Sequence, residues 1–336
     1  MKKVISFILS VFLLSITLCG CKKETESLSY PYQPDRNESN NIYGDTPLSY
    51  SEGFSSKIAV VGKDAVNSEG SENLKSEAAL LVDATTGEVL FQKNPHKKEY
   101  PASTTKILTS LLALKYGDTS ASRKVGDEVI INEDNVILCD FRYGDTISFE
   151  LAMHATLLRS GNDAAAFLSL FVADNLNDFA ELMNEEAKKL GATESHFVNP
   201  HGLFNENHYT TAYDLYLIFN EAIKYTKFVD TISCRQYDGS FTRKTSQAEY
   251  LINCSYSNTN QYVTGALPTP EGIKVLGGKA GYTEAARRSY VMLAEANEHR
   301  YIIITMRADN SDDMYHDLTA LLNKIPVNKK NYADNE

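Results

Sequence analysis

Cysteine is scarce in this chain. Five are present, none of them in a C-x-x-C pair, so neither a disulfide framework nor a zinc site is indicated. Cys19 and Cys21 lie at the extreme N-terminus. Cys139, Cys234 and Cys254 cannot all pair internally, and Cys139, which follows Val136-Ile137-Leu138, reads as a core residue. No H-E-x-x-H occurs. His196, His201 and His208 therefore lack the spacing of a helical ligand pair, and they read as loop residues that are structural or face solvent. A phosphate loop is missing as well. Gly278-Lys279 invites one, but Ile273 stands where its first glycine belongs and Ala280 where its Ser/Thr belongs. There is no basic run that suggests nucleic acid, and the net charge is -11. An anionic substrate would have to be held by a local cationic pocket in an acidic whole. No metal or other cofactor is called for.

What is present begins with an export signal. Met1-Lys2-Lys3 is a basic start, and Val4 to Leu18 is an apolar run too short to span a bilayer comfortably. The run ends Leu18-Cys19-Gly20-Cys21, which looks like a bacterial lipobox. Residues 1–20 then form the signal, and Cys21 becomes the lipidated N-terminus of a protein held on the extracytoplasmic face of the membrane. An ordinary signal peptide with a cysteine nearby is the plainer alternative. Residues 21–74 are rich in Ser, Asn, Glu, Asp, Gly and Tyr without a lasting period, and they read as a disordered tether. Within it, Ile58 to Val61 has the pattern of a short strand. The folded domain is expected over 75–326, with a tail over 327–336. The chain's 336 residues, 43% of them hydrophobic, suffice for one large or two ordinary domains.

The domain opens with strand-like Ala78 to Val82 and Val89 to Gln92 around a turn, Asp83-Ala84-Thr85-Thr86-Gly87. Tyr100 to Lys115 follows. Pro101 and Ser103 mark a helix entry, and Ile107, Leu108, Leu111, Leu112 and Leu114 give it a wide apolar face. Ser103 and Lys106 share a face at the helix N-terminus. A serine hydroxyl needs an adjacent base, and a lysine supplies one where burial or a neighbouring cation lowers its pKa. Alone, S-x-x-K is a weak signal that occurs by chance in most proteins, and it favours a capped amphipathic helix that happens to carry a lysine. Further on, Phe149 to Leu158 and Ala164 to Val172 are helical around Arg159-Ser160-Gly161-Asn162-Asp163, which alone reads as a helix–helix turn. Asp178 to Leu190 and Thr211 to Tyr225 are helices. Ser289 to Ala294 and Arg300 to Met306 are strands joined as a hairpin, and Ser311 caps a last helix over Asp312 to Leu322.

Three weak signals thus stand in a fixed order: Ser103-x-x-Lys106, Ser160-x-Asn162 and Lys279-x-Gly281. The order resembles the penicillin-recognising serine acyltransferases, with their S-x-x-K, S-x-N and K-T-G set. P-A-S-T-T-K-I-L-T, L-L-R-S-G-N-D-A-A, H-F-V-N-P-H-G-L and the hairpin A-A-L-L-V-D-A-T-T-G-E-V-L-F are similar specifically to the D-alanyl-D-alanine carboxypeptidases, from about Lys75 to Ile325. The resemblance implies an α/β (α+β) domain of the β-lactamase/transpeptidase-like fold, an antiparallel sheet flanked by helices with a helical subdomain to one side.

The same resemblance implies the chemistry. Ser103 attacks the bond between two terminal D-alanines of a peptidoglycan stem peptide, with Lys106 as its base. Ser160 and Lys279 relay a proton to the leaving D-alanine, Asn162 holds the substrate amide, and Gly281 admits the substrate beside an edge strand. The backbone N–H groups of Ser103 and Tyr282 form the oxyanion hole, and β-lactams are covalent inhibitors. Two departures stand out. Lys279-Ala280-Gly281 lacks the hydroxyl that would contact the substrate carboxylate, a contact typically of about 1.5–3 kcal/mol. Many relatives carry a C-terminal β-rich domain with an amphipathic anchor, which the lipid expected on Cys21 could replace. A β-lactamase-like serine hydrolase and a catalytically weak lipoprotein that binds cell wall are the alternatives, the latter because of Ala280.

Overall fold

The computed structural model describes residues 58–327. The signal, Cys21, the tether up to residue 57 and the tail from residue 328 lie outside the described residues. The tether does not extend to residue 74. Ala59, Val61 and Leu74 are buried. The Ala59 N–H donates to Tyr216 Oη at 2.9 Å, and the Ser68 N–H donates to Gln92 O at 2.8 Å. The polar composition of this stretch hides a few apolar anchors, each of which gains by leaving water. Among the described residues, Ile58 to Val61 pairs with no strand.

Strands β1 (Ala78–Asp83) and β2 (Glu88–Lys93) form the expected hairpin. Asp83 Oδ1 closes its turn by accepting from the Thr85 and Thr86 N–H groups at 2.8 and 3.1 Å. Helix α1 (Lys106–Tyr116) comes next, then the short strands β3 (Ser122–Lys124) and β4 (Thr146–Ser148). Helices α2 (Phe149–His154) and α3 (Asn162–Ser169) are joined by a wide π-type turn over Ala155–Arg159. Then follow α4 (Leu176–Lys189), α5 (Ala212–Ala222) and α6 (Thr226–Ser233). A hairpin of β5 (Gln236–Lys244) and β6 (Glu249–Ser257) precedes the short helix α7 (Gln261–Thr264). The chain closes with β7 (Lys274–Thr283), β8 (Arg287–Ala296), β9 (His299–Ala308) and α8 (Ser311–Leu322).

The first sheet runs β2-β1-β9-β8-β7, antiparallel throughout, with β7 at its edge. Both of its faces are covered, so β1, β8 and β9 read as nearly continuous apolar runs. Ile302, Ile304 and Met306 join the core shared with α1, α3 and α5. Tyr301, Ile303 and Tyr290 pack instead with Met314, Leu318 and Leu322 of α8. That helix is capped one residue earlier than expected. Extended Asn310 places Oδ1 on the Asp313 N–H at 2.9 Å, and Ser311 is already helical. The second sheet runs β3-β4-β5-β6. Helix α1 buries Ile107, Leu108, Leu111 and Leu112 completely, which sets its N-terminus between the helical part and the edge strand β7.

Candidate active site

The entry to α1 is tighter than an α-helical turn. Ala102–Thr105 is a 3-10 turn, in which side chains three apart eclipse. Ser103 and Lys106 therefore face each other, with Lys106 Nζ 3.0 Å from Ser103 Oγ. Lys106 is fully buried and has two further partners, Asn162 Oδ1 at 2.8 Å and His201 O at 2.6 Å. Burial pushes its pKa well below the ordinary lysine value, and the charge of Lys279 pushes it further the same way. Both the amide oxygen and the carbonyl can only accept. Each takes one hydrogen of the amine, which also stands against the Ser103 hydroxyl. The geometry thus sets an amine of lowered proton affinity against the nucleophile.

Ser160 follows the π-type turn in a left-handed conformation, φ 64°. This turns its side chain out of the helix and into the site, where Lys279 Nζ donates to its Oγ at 2.9 Å. Lys279 also donates to the Ala280 carbonyl at 2.9 Å. It too is fully buried, which lowers its pKa to about 7. Alternation along β7 divides the triplet between the two faces of the sheet. Lys279 and Gly281 face Ser103, whereas the Ala280 methyl packs toward the α8 side, opposite Tyr290 in the ladder. A Cβ on Gly281 would lie 2.7 Å from Pro101 O and 3.1 Å from Ser103 N, so glycine lets the strand rest on the nucleophile turn. Tyr282 exposes its ring, and the Arg288 guanidinium lies 4.1 Å above it.

The expected residues Ser103, Lys106, Ser160, Asn162, Lys279 and Gly281 are therefore brought together, and Tyr282 stands at their rim. Asn162, expected to hold the substrate amide, also has partners within the protein. Its Oδ1 is taken by Lys106, and its Nδ2 donates to Ile137 O at 3.2 Å. Several contributors escaped the sequence reading. His201 contributes its backbone carbonyl, which no residue type signals. Thr109 Oγ1 donates to Pro200 O at 2.6 Å and ties the same segment to α1. Asp163 is buried and accepts from the Cys139, Phe141 and Ala164 N–H groups, fastening the 137–141 loop to the start of α3. Burial raises its pKa despite those donors. Cys139 is half-buried under Gly161, and burial pushes its thiol pKa up, which disfavours the reactive thiolate. His201 and His208 are buried, with pKa values lowered to about 3 by loss of solvent.

Comparison with known proteins agrees with this layout. The family described as D-alanyl-D-alanine carboxypeptidase (peptidase S11) matches residues 65–310. The D-alanyl-D-alanine carboxypeptidase DacF of Bacillus subtilis is 29% identical over 255 residues, which cover 74% of this chain and 61% of that protein. The chain thus spans about three fifths of that relative's length. A variant of the Streptomyces K15 DD-transpeptidase superposes with a TM-score of 0.68 at 21% identity, over 75% of this chain and 97% of the other. Penicillin-binding protein D2 of Listeria monocytogenes, solved in its cefotaxime-bound form, does so with a TM-score of 0.62 at 24% identity and the same coverage. At these identities the likeness is one of fold, and the fold is the one shared by these penicillin-binding DD-peptidases.

Proposed function

The chain belongs to the D-alanyl-D-alanine carboxypeptidase family, peptidase S11, and on that premise we propose that it removes the terminal D-alanine from peptidoglycan stem peptides through an acyl-enzyme on Ser103. One observation carries the reading: the buried amine of Lys106, held by Asn162 and His201, stands 3.0 Å from Ser103 Oγ. Lys106 takes the hydroxyl proton as Oγ bonds to the substrate carbonyl carbon. The resulting oxyanion is held by the Ser103 and Tyr282 N–H groups, each such donor typically contributing about 3 kcal/mol. When the C–N bond breaks, the Ser160 hydroxyl, oriented by Lys279, gives its proton to the leaving D-alanine nitrogen and is reprotonated by the Lys106 ammonium, which returns to the neutral amine. Water then attacks the ester, Lys106 again accepting a proton and passing it to Ser103 Oγ as the ester bond breaks. The substrate lies along the free edge of β7, where Gly281 leaves room for its backbone. β-Lactams acylate the same serine, in keeping with the cefotaxime-bound relative. Cys21 carries the lipid that anchors the protein at the outer face of the membrane, a reading supported by the lipobox-like sequence ending at Gly20.

Intact-mass measurement after incubation with benzylpenicillin, with Ser103→Ala as the control, tests the reading. A stable adduct on the wild type alone is expected, together with D-alanine release from a D-alanyl-D-alanine peptide. Consumption of penicillin without an adduct would favour a β-lactamase. Neither adduct nor consumption nor released D-alanine would leave only a binding role.

A further inference from the structure

The segment that lends Lys106 a carbonyl also reaches the nucleophile turn by a second route. His208 is 2% exposed. The Val198 N–H donates to its Nδ1 at 3.2 Å, so the ring hydrogen resides on Nε2. That Nε2–H meets Thr105 Oγ1 at 2.9 Å, and the Thr105 hydroxyl donates onward to Ala102 O at 2.7 Å. The three hydrogen bonds run in one direction, from the 196–210 segment into the turn. They end on a residue in an uncommon state, because Ala102 has a φ of 47° and directly precedes Ser103. Alanine holds a left-handed conformation only where its surroundings over-determine it. Gly202 closes on the same carbonyl, since a Cβ there would lie 1.9 Å from Ala102 O. Phe197 fixes the plane of the imidazole edge-on, with ring centroids 5.5 Å apart.

We infer that His208 is a positioning residue for the nucleophile. Acting through the Thr105 hydroxyl, one tautomer of its buried ring holds the carbonyl of left-handed Ala102 and so aims Ser103 Oγ between Lys106 and the incoming carbonyl. The ring touches neither substrate nor the transferred proton. Burial keeps it neutral down to about pH 3, so the relay stays intact at working pH. This inference rests on the acyl-enzyme reading above.

The test is the second-order rate of acylation by benzylpenicillin, followed by quenched intact-mass time courses on the full chain, with the thermal midpoint measured alongside. His208→Leu and Thr105→Val are each expected to slow acylation about 10- to 100-fold. The double variant should be no slower than the worse single, because the two groups act as one unit. His208→Gln, whose amide N–H can reach the Nε2 position, should recover to within about fivefold of the wild type, as should Thr105→Ser. Wild-type acylation in His208→Leu would overturn the inference. So would additive losses in the double variant, or thermal midpoints restored by Gln and Ser without recovery of the rate. If His208→Leu does not fold, Thr105→Val decides, and a wild-type rate there overturns the inference. A wild-type protein that is not acylated at all sinks the acyl-enzyme reading, and this inference with it.

Discussion

Two lysines stand in the site, and the regions that hold them are built differently. Lys106 sits at the first turn of α1, where its three partners come from three separate segments: Ser103 beside it, Asn162 at the start of α3 and the His201 carbonyl. Lys279 sits on the edge strand β7, with one side-chain partner, Ser160, and its neighbour's carbonyl. Both are buried, yet the consequences differ. Lys106 is lowered by burial and by the charge of Lys279, whereas Lys279 is lowered by burial alone, to about 7. One region therefore holds its lysine against the nucleophile among three partners, and the other holds a lysine whose pKa is lowered to about 7. Two identical side chains are placed for different roles because their partners differ.

The largest expected effect tests that division directly. Lys106→Met should slow benzylpenicillin acylation by about 1,000-fold or more, and Lys279→Met by about 100-fold. Rate constants from quenched intact-mass measurements check this, and equal losses would break the comparison. Gly281→Ala comes next. Its Cβ would press on Pro101 O and Ser103 N, lifting β7 from the nucleophile turn, and acylation should fall about tenfold. Unchanged kinetics in that variant would mean that the strand gives way without cost.

A pH series sharpens the Lys279 side. Its folded pKa of about 7 lies below the unfolded value of 10.5, so between those limits the unfolded chain binds more protons. Folding stability should then rise as pH increases through that window, by at most about 1.4 kcal/mol per pH unit from this group. Below pH 7 its penalty is fully present. Urea unfolding midpoints of wild type and Lys279→Met, compared from pH 7 to 10, check the sign, and a slope unchanged in the variant would sink the claim. The smallest effect is expected for Ala280→Thr. The side chain at 280 leans toward the α8 side of the sheet, away from Ser103, so turnover of a D-alanyl-D-alanine peptide should change by less than about threefold. A gain of tenfold or more would show that the missing hydroxyl limits the site.

Much of this molecule was legible before any coordinates. The turn at Asp83–Gly87, the amphipathic start of α1, the breaks at Ser160-Gly161 and the hairpin of β8 and β9 all announce themselves through local rules. The β5–β6 hairpin did not, because only Phe241 and Tyr256 are buried along its two strands and the remaining inward positions are only partly covered, so the alternation of Ile252, Cys254 and Tyr256 is weak in composition. The ordered stretch 58–74 was masked by its polar composition. In the site, side chains with chemistry were nameable from their motifs, whereas the His201 carbonyl was not, since every residue carries one. His208 was visible only as one of three loop histidines.

By itself the sequence determined which groups are available and how the chain bends locally around them: a serine and a lysine three apart, a serine in a Gly-Asn turn, a lysine two before a strand glycine. It determined the family as well, through the order of those motifs. Tertiary structure alone decided that Lys106 is buried with a lowered pKa, that it meets Ser103, that Asn162 Oδ1 accepts from Lys106, and that Ala280 turns from the site. Proton affinity and hydrogen-bond choice depend on burial and on partners tens of residues away, and such distant partners leave no mark on the local pattern.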